Sequence, residues 1–124
     1  ITNPVTPAEP PFLFTEPAHT WCYYFTKAEL AYQMNNFEKV ISLYEQAASL
    51  GYKTEDQNDM LIFIEAYTRI NNMEAAIMLS NNIIAEDAKM RRGVCIVWKQ
   101  IQAHGPEGSV EQITQIMSEL ACAD

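Results

Sequence analysis

Apolar residues recur along this chain at steps of three and four, the period of a helix with one buried face. Trp21, Tyr24, Phe25, Ala28, Ala31 and Tyr32 form a first stripe, and Phe37, Val40, Ile41, Tyr44, Ala47 and Ala48 a second. Met60, Phe63, Ile64, Tyr67 and Ile70 make a third, followed by Met73, Ala76, Ile77, Ile83 and Ile84. Val94, Val97, Trp98 and Ile101 are the fifth stripe, and Val110, Ile113, Ile116, Met117 and Leu120 the sixth. The spacing predicts six amphipathic helices. Trp21, Phe37, Val40, Tyr44, Ile64, Tyr67, Ile77 and Trp98 hold its inward positions and are expected in the core.

Local punctuation agrees with that division. Asn36 and Asn72 stand where a short side-chain acceptor can satisfy a free N–H at a helix start. Thr54–Gln57 and Ser109–Gln112 match capping boxes opening the third and sixth helices. Gly51 and Gly105 suit the left-handed residue that ends a helix. Gly93 falls inside the fifth stripe, where it costs about 1 kcal/mol against Ala. Either that helix begins near Gly93 or a neighbouring backbone packs closely there.

Proline divides the chain again. Pro4, Pro7, Pro10, Pro11 and Pro17 precede Ala18, and none follows until Pro106. Residues 1–17 are therefore expected to be an extended linker, with Phe12, Leu13 and Phe14 pinned to the domain formed by residues 18–124; its first part, residues 1–11, is expected to form no helix and to contribute little to stability. The chain opens without Met, as a fragment of something longer would.

The chain also repeats itself. Asn35-Asn-Phe-Glu-Lys-Val-Ile-Ser-Leu43 recurs as Asn71-Asn-Met-Glu-Ala-Ala-Ile-Met-Leu79, a shift of 36 residues that also carries Glu29 onto Glu65. Repeats of this length made of two helices and a tight turn imply stacked helical hairpins, each covering the apolar face of the next. On these residues the chain resembles the tetratricopeptide repeats. Tyr24, Ala28, Phe37, Tyr44 and Ala47 occupy the family's aromatic and small positions in the first unit, and Tyr67, Met73 and Ala76 in the second. Ile64 and Ser80 depart from the pattern, Asn35 and Asn71 replace the Gly before each turn, and the Pro closing each repeat is absent. The resemblance covers roughly residues 20–121 and fades in the third unit. It implies an all-α fold of three stacked hairpins in a right-handed solenoid, with a concave face lined by the first helix of each hairpin.

A second, narrower resemblance lies in the string from Glu16 to Ala31, Glu-Pro-Ala-His-Thr-Trp-Cys-Tyr-Tyr-Phe-Thr-Lys-Ala-Glu-Leu-Ala. It is similar to the start of soluble C-terminal helical domains in bacterial multi-spanning membrane proteins, themselves similar to dolichyl-phosphate-mannose-type glycosyltransferases. That implies a domain tethered to a bacterial membrane, on a side left open, and carries no catalytic residue with it.

Composition narrows the function. Sixteen acids against eight bases leave a net charge of −8, the wrong sign for nucleic acid. No apolar run is long enough to span a bilayer, and no signal peptide opens the chain. The odd set Cys22, Cys95 and Cys122 contains no CxxC and reads as buried or incidental thiols. His19 and Cys22 lack a second pair of zinc ligands. Glu55, Asp56 and Asp59 lack the glycine and terminal Glu of a calcium loop and read as a solvated acidic first turn. Lys89, Arg91, Arg92 and Lys99 gather half the bases; such a cluster either touches an acidic partner or a lipid headgroup surface, or pairs with Glu86, Asp87 and Glu65. There is no phosphate-binding loop and no nucleophile elbow.

These features together describe a non-enzymatic protein-interaction or accessory domain with no cofactor and no metal. Its partner is a protein or peptide, or the membrane part of its own chain. The alternative is a structural or regulatory domain packed on a membrane glycosyltransferase, without a ligand of its own. Phe25, Glu29, Tyr32, Glu65, Arg69 and Lys99 are the expected concave face. Glu29, Glu65 and Lys99 form a row along it in which Glu65 approaches Lys99.

Overall fold

The computed structural model describes residues 20–105 and 109–122; the proline-rich stretch, its boundary at 17, Phe12–Phe14 and His19 lie outside them. The described residues form six α-helices and no strand: α1 (Trp21–Gln33), α2 (Phe37–Ser49), α3 (Leu61–Arg69), α4 (Met73–Glu86), α5 (Arg91–His104) and α6 (Val110–Glu119). Single 3₁₀ turns, Gln57–Met60 and Ala88–Met90, lead into α3 and α5. The six stripes and the six helices coincide. The all-α expectation therefore holds.

Each helix ends for a local reason. At the α1–α2 turn Asn35 takes φ 59°, and the Asn36 amide donates to the Ala31 carbonyl at 2.8 Å. The same turn recurs after α3, with Asn71 at φ 64° and the Asn72 amide on the Tyr67 carbonyl at 2.9 Å. Both are the left-handed closure that satisfies orphan carbonyls at a helix end. Asn36 and Asn72 then start the next helix, accepting from the Lys39 and Ala75 amides at 3.3 and 3.1 Å. Gly51 (φ 83°) ends α2 the same way, as expected. Gly105 does not: its φ of −88° is ordinary extended backbone. Ala121 takes the left-handed position after α6, at φ 60°. Gly93 lies in the first turn of α5, so the helix starts near it, and its nearest neighbours are side chains, Leu61 and Met90.

The packing follows chain order. α1 lies against α2, α3 against α4 and α5 against α6, while α3 also meets α2 and α5. α3 is accordingly buried on several sides, through Phe63, Ile64, Ala66 and Tyr67. Of the eight expected core residues, Val40, Ile64, Tyr67 and Trp98 are buried. Trp21, Phe37, Tyr44 and Ile77 are only partly buried and pack against the core's edge. The first three belong to the hairpin that has a packed neighbour on one side only among the described residues.

Aromatic contacts join successive hairpins. Tyr44 of α2 stacks on Phe63 of α3 with centroids 4.7 Å apart. Ser80 stands 36 residues after Tyr44. It is fully buried, and its hydroxyl accepts the indole N–H of the fully buried Trp98 at 2.8 Å while donating to the Ala76 carbonyl. The apparent defect in the repeat is thus the partner that a buried indole requires.

The cysteines differ from expectation. Cys95 and Cys122 form a disulfide, with Cα atoms 5.6 Å apart, and Cys22 is exposed and free. Residues 27 apart share no local signature. Only the packing of α6 on α5 brings them within bonding range. The Thr54–Gln57 box does not form either. Asp56 caps the 3₁₀ turn through the Asn58 amide at 3.0 Å, and the hydrogen bonds of its carboxylate hold its pKa below the usual range. Asp59, expected to be solvated, accepts from the Trp21 indole at 3.0 Å and the Thr54 hydroxyl at 2.8 Å. It is a tether between the start of α1 and the α2–α3 connection.

Candidate protein-interaction face

Five of the six expected face residues lie on α1 and α3, and three of them, Tyr32, Glu65 and Arg69, form one patch. The Tyr32 hydroxyl donates to one carboxylate oxygen of Glu65. Arg69, one turn along α3, binds the other at 3.2 Å. The guanidinium of Arg69 also sits 5.1 Å over the ring of Phe37, which meets Tyr32 edge-on at 5.8 Å. Glu65 thus fixes a phenol and a guanidinium side by side at the α1–α2 turn. Burial, reinforced by the Glu65 carboxylate, pushes the Tyr32 phenol up to about 12. Phe25 is half-buried, stacked near Trp21 at 6.0 Å and edge-on to Phe63. Glu29 is exposed on α1.

Lys99 is not part of that patch. Glu65 pairs within its own helix, with Arg69, and the expected approach of Lys99 is absent from the ion pairs of the described residues. Lys99 instead lines a groove of about 660 Å³ along α5 and the end of α6, with Lys89, Arg91, Arg92, Ile96 and Met117. The expected pairing of these cations with Glu86, Asp87 and Glu65 does not occur. Asp87 uses its carboxylate to cap the Lys89 amide at 3.0 Å.

A second cleft, of about 310 Å³, opens beside the α2–α3 connection and is lined by Trp21, Tyr44, Tyr52, Lys53, Asn82 and Glu86. Sequence reasoning missed it, because its walls come from three helices, α1, α2 and α4, and the α2–α3 connection, brought together only by tertiary packing. The phenols around Glu45 are also perturbed. Burial and the neighbouring Glu45 raise the pKa of Tyr44, and those two causes with Tyr44 raise that of Tyr67, whose hydroxyl donates to Glu45 at 3.3 Å. Among the described residues no group of three or more His, Cys, Asp or Glu side chains is placed to hold a metal ion. No helix among them is long and apolar enough to cross a membrane.

No protein-family model matches the chain, and comparison with curated proteins and with solved structures finds no match either.

Proposed function

We propose that this chain is a non-enzymatic protein-interaction module of tetratricopeptide-repeat type, whose first helices α1 and α3 present the recognition face. The observation that carries this reading is the recurrence, 36 residues apart, of one turn with the same left-handed Asn, the same backbone closure and the same Asn cap. Two hairpins closed identically and packed on each other support a solenoid with a continuous inner face. On that face the polar groups of Tyr32, Glu65 and Arg69 are already paired with one another. They form a rigid amphipathic platform, with Glu29 as the exposed acid beside it. Such a platform favours a peptide with an apolar anchor and a basic or amide group.

The test is selection of peptides from an unbiased random library on the purified chain, followed by affinities for Glu29→Lys and Phe25→Ala. Selected peptides should lose about tenfold or more in affinity with either change, as central and charged contacts do. Selected binders indifferent to both would refute the reading.

Two observations favour an accessory role on a tethered protein as the setting. Leu30 and Met34, at 59% and 72% exposure, make an apolar pair four residues apart at the end of α1 and just beyond it, within and just after the string that suggested such a tether. The Cys95–Cys122 disulfide supports a compartment where thiols oxidise.

A further inference from the structure

The groove along α5 and the end of α6 goes beyond the α1–α3 face and shares only Lys99 with the residues expected there. We infer that it is a binding site for an acidic peptide segment carrying an apolar side chain. The rest of the chain sets it apart. Four of the eight Lys and Arg residues line this one groove, so sixteen acids and four bases remain for all other positions. None of the four makes an ion pair among the described residues. The Nε of Arg91 is buried without a hydrogen-bond partner, a costly state for a charged group's donor.

The placement of these charges also runs against the helix that bears them. Arg91 and Arg92 open α5, whose first turn contains no acid. Cations at the positive end of a helix are destabilising. A bound carboxylate reverses that sign at every one of them. Arg92, Ile96 and Lys99 follow steps of four and three, so they form one stripe, about 10 Å long at the helical rise. Ile96 is 48% exposed between the two cations. Met117, Ala121 and Cys95 complete an apolar wall, and the disulfide holds the end of α6 against α5.

That pattern asks for carboxylates about 10 Å apart flanking one apolar side chain. The concavity and the surrounding charge choose among anionic partners. A membrane surface or a long polyanion would bring its charge against the acidic remainder of the chain. A short peptide meets only the groove.

The probe is a fluorescein-labelled peptide of about twelve residues, two thirds Asp or Glu with a central Leu pair, against its Asn/Gln analogue, read by anisotropy. The acidic peptide should bind about tenfold or more tightly than the amide analogue, and weaken markedly between about 50 and 500 mM salt. Charge reversal in Arg92→Glu/Lys99→Glu, whose side chains are exposed and unpaired, should remove about tenfold or more of the affinity while far-UV circular dichroism stays unchanged. Backbone amide shifts on binding should fall between residues 88 and 121.

Equal binding of the two peptides, or an unaltered affinity in the reversed variant, would overturn the proposal. So would binding of phosphatidylserine vesicles, inorganic phosphate or a second copy of the chain through these residues in place of the peptide. Peptides bound to the α1–α3 face should shift amides on those helices and respond to Glu29→Lys and Phe25→Ala, whereas the acidic probe should respond to neither, so either site can fail without the other.

Discussion

Ser80 and Trp98 permit a sharp test of how the second and third hairpins are joined. Trp98 is fully buried, and its indole N–H has the Ser80 hydroxyl as acceptor at 2.8 Å. Ser80→Ala leaves that N–H without a partner in a dry core, at a cost of about 1–3 kcal/mol. Ala is the better helix former by roughly 0.5 kcal/mol, so the net loss should be about 1–2 kcal/mol. For a domain of this size that is a fall of about 5–10 °C in Tm. Trp98→Phe removes the donor and part of the ring, with a cavity cost of about 2–4 kcal/mol. It leaves the Ser80 hydroxyl bonded to the Ala76 carbonyl. The double variant no longer has an orphaned donor, so its loss should fall short of the sum by about 1 kcal/mol. Urea unfolding of the four proteins, followed by circular dichroism with a common m-value, measures the coupling. Additivity to within about 0.3 kcal/mol would refute the claim that the hydroxyl is there for the indole.

Reducing the Cys95–Cys122 disulfide, or replacing both residues with Ser, should cost about 3–4 kcal/mol, from the chain entropy of a loop of 27-residue separation; calorimetry with and without dithiothreitol reads it, and an unchanged Tm would contradict the bond. Ala121→Gly should stabilise by about 1 kcal/mol, since a Cβ is disfavoured at its left-handed φ of 60°; a loss in urea midpoint would count against that geometry. The Tyr32 phenol is raised to about 12 in the folded protein. Its contribution to stability is therefore complete below pH 10, the ordinary tyrosine value, and is lost as pH rises through about 12. Tyr32→Phe should flatten the alkaline fall in stability and delete one late step from the ultraviolet phenolate titration; loss of a step at the ordinary tyrosine value instead would refute the Tyr32–Glu65 bond.

Local signals carried most of the fold. Six stripes gave six helices because each helix buries one face, and Asn36, Asn72 and Gly51 act within a single turn. Gly105 misled because the glycine that suits a left-handed turn also suits extended backbone. Asp59 was read from its own helix start, whereas its indole partner lies 38 residues away. The α1–α3 patch was legible through the 36-residue shift, which keeps α1 and α3 in register. Lys99 was not. α3 is apolar around much of its circumference, and aligning α5 to so broad a stripe leaves the rotation uncertain by a residue, about 100° of turn. That is enough to move a cation from the expected face to the groove along α5 and α6.

The most direct test of the interaction module is a map of backbone amide shifts for the isotopically labelled chain with the tightest library-selected peptide bound. The repeat reading predicts a continuous set of perturbed residues on α1 and α3, including Phe25, Glu29 and Tyr32 and spreading across the turn to Phe37. Perturbations scattered over all six helices, or confined to α4 and α6, would contradict it.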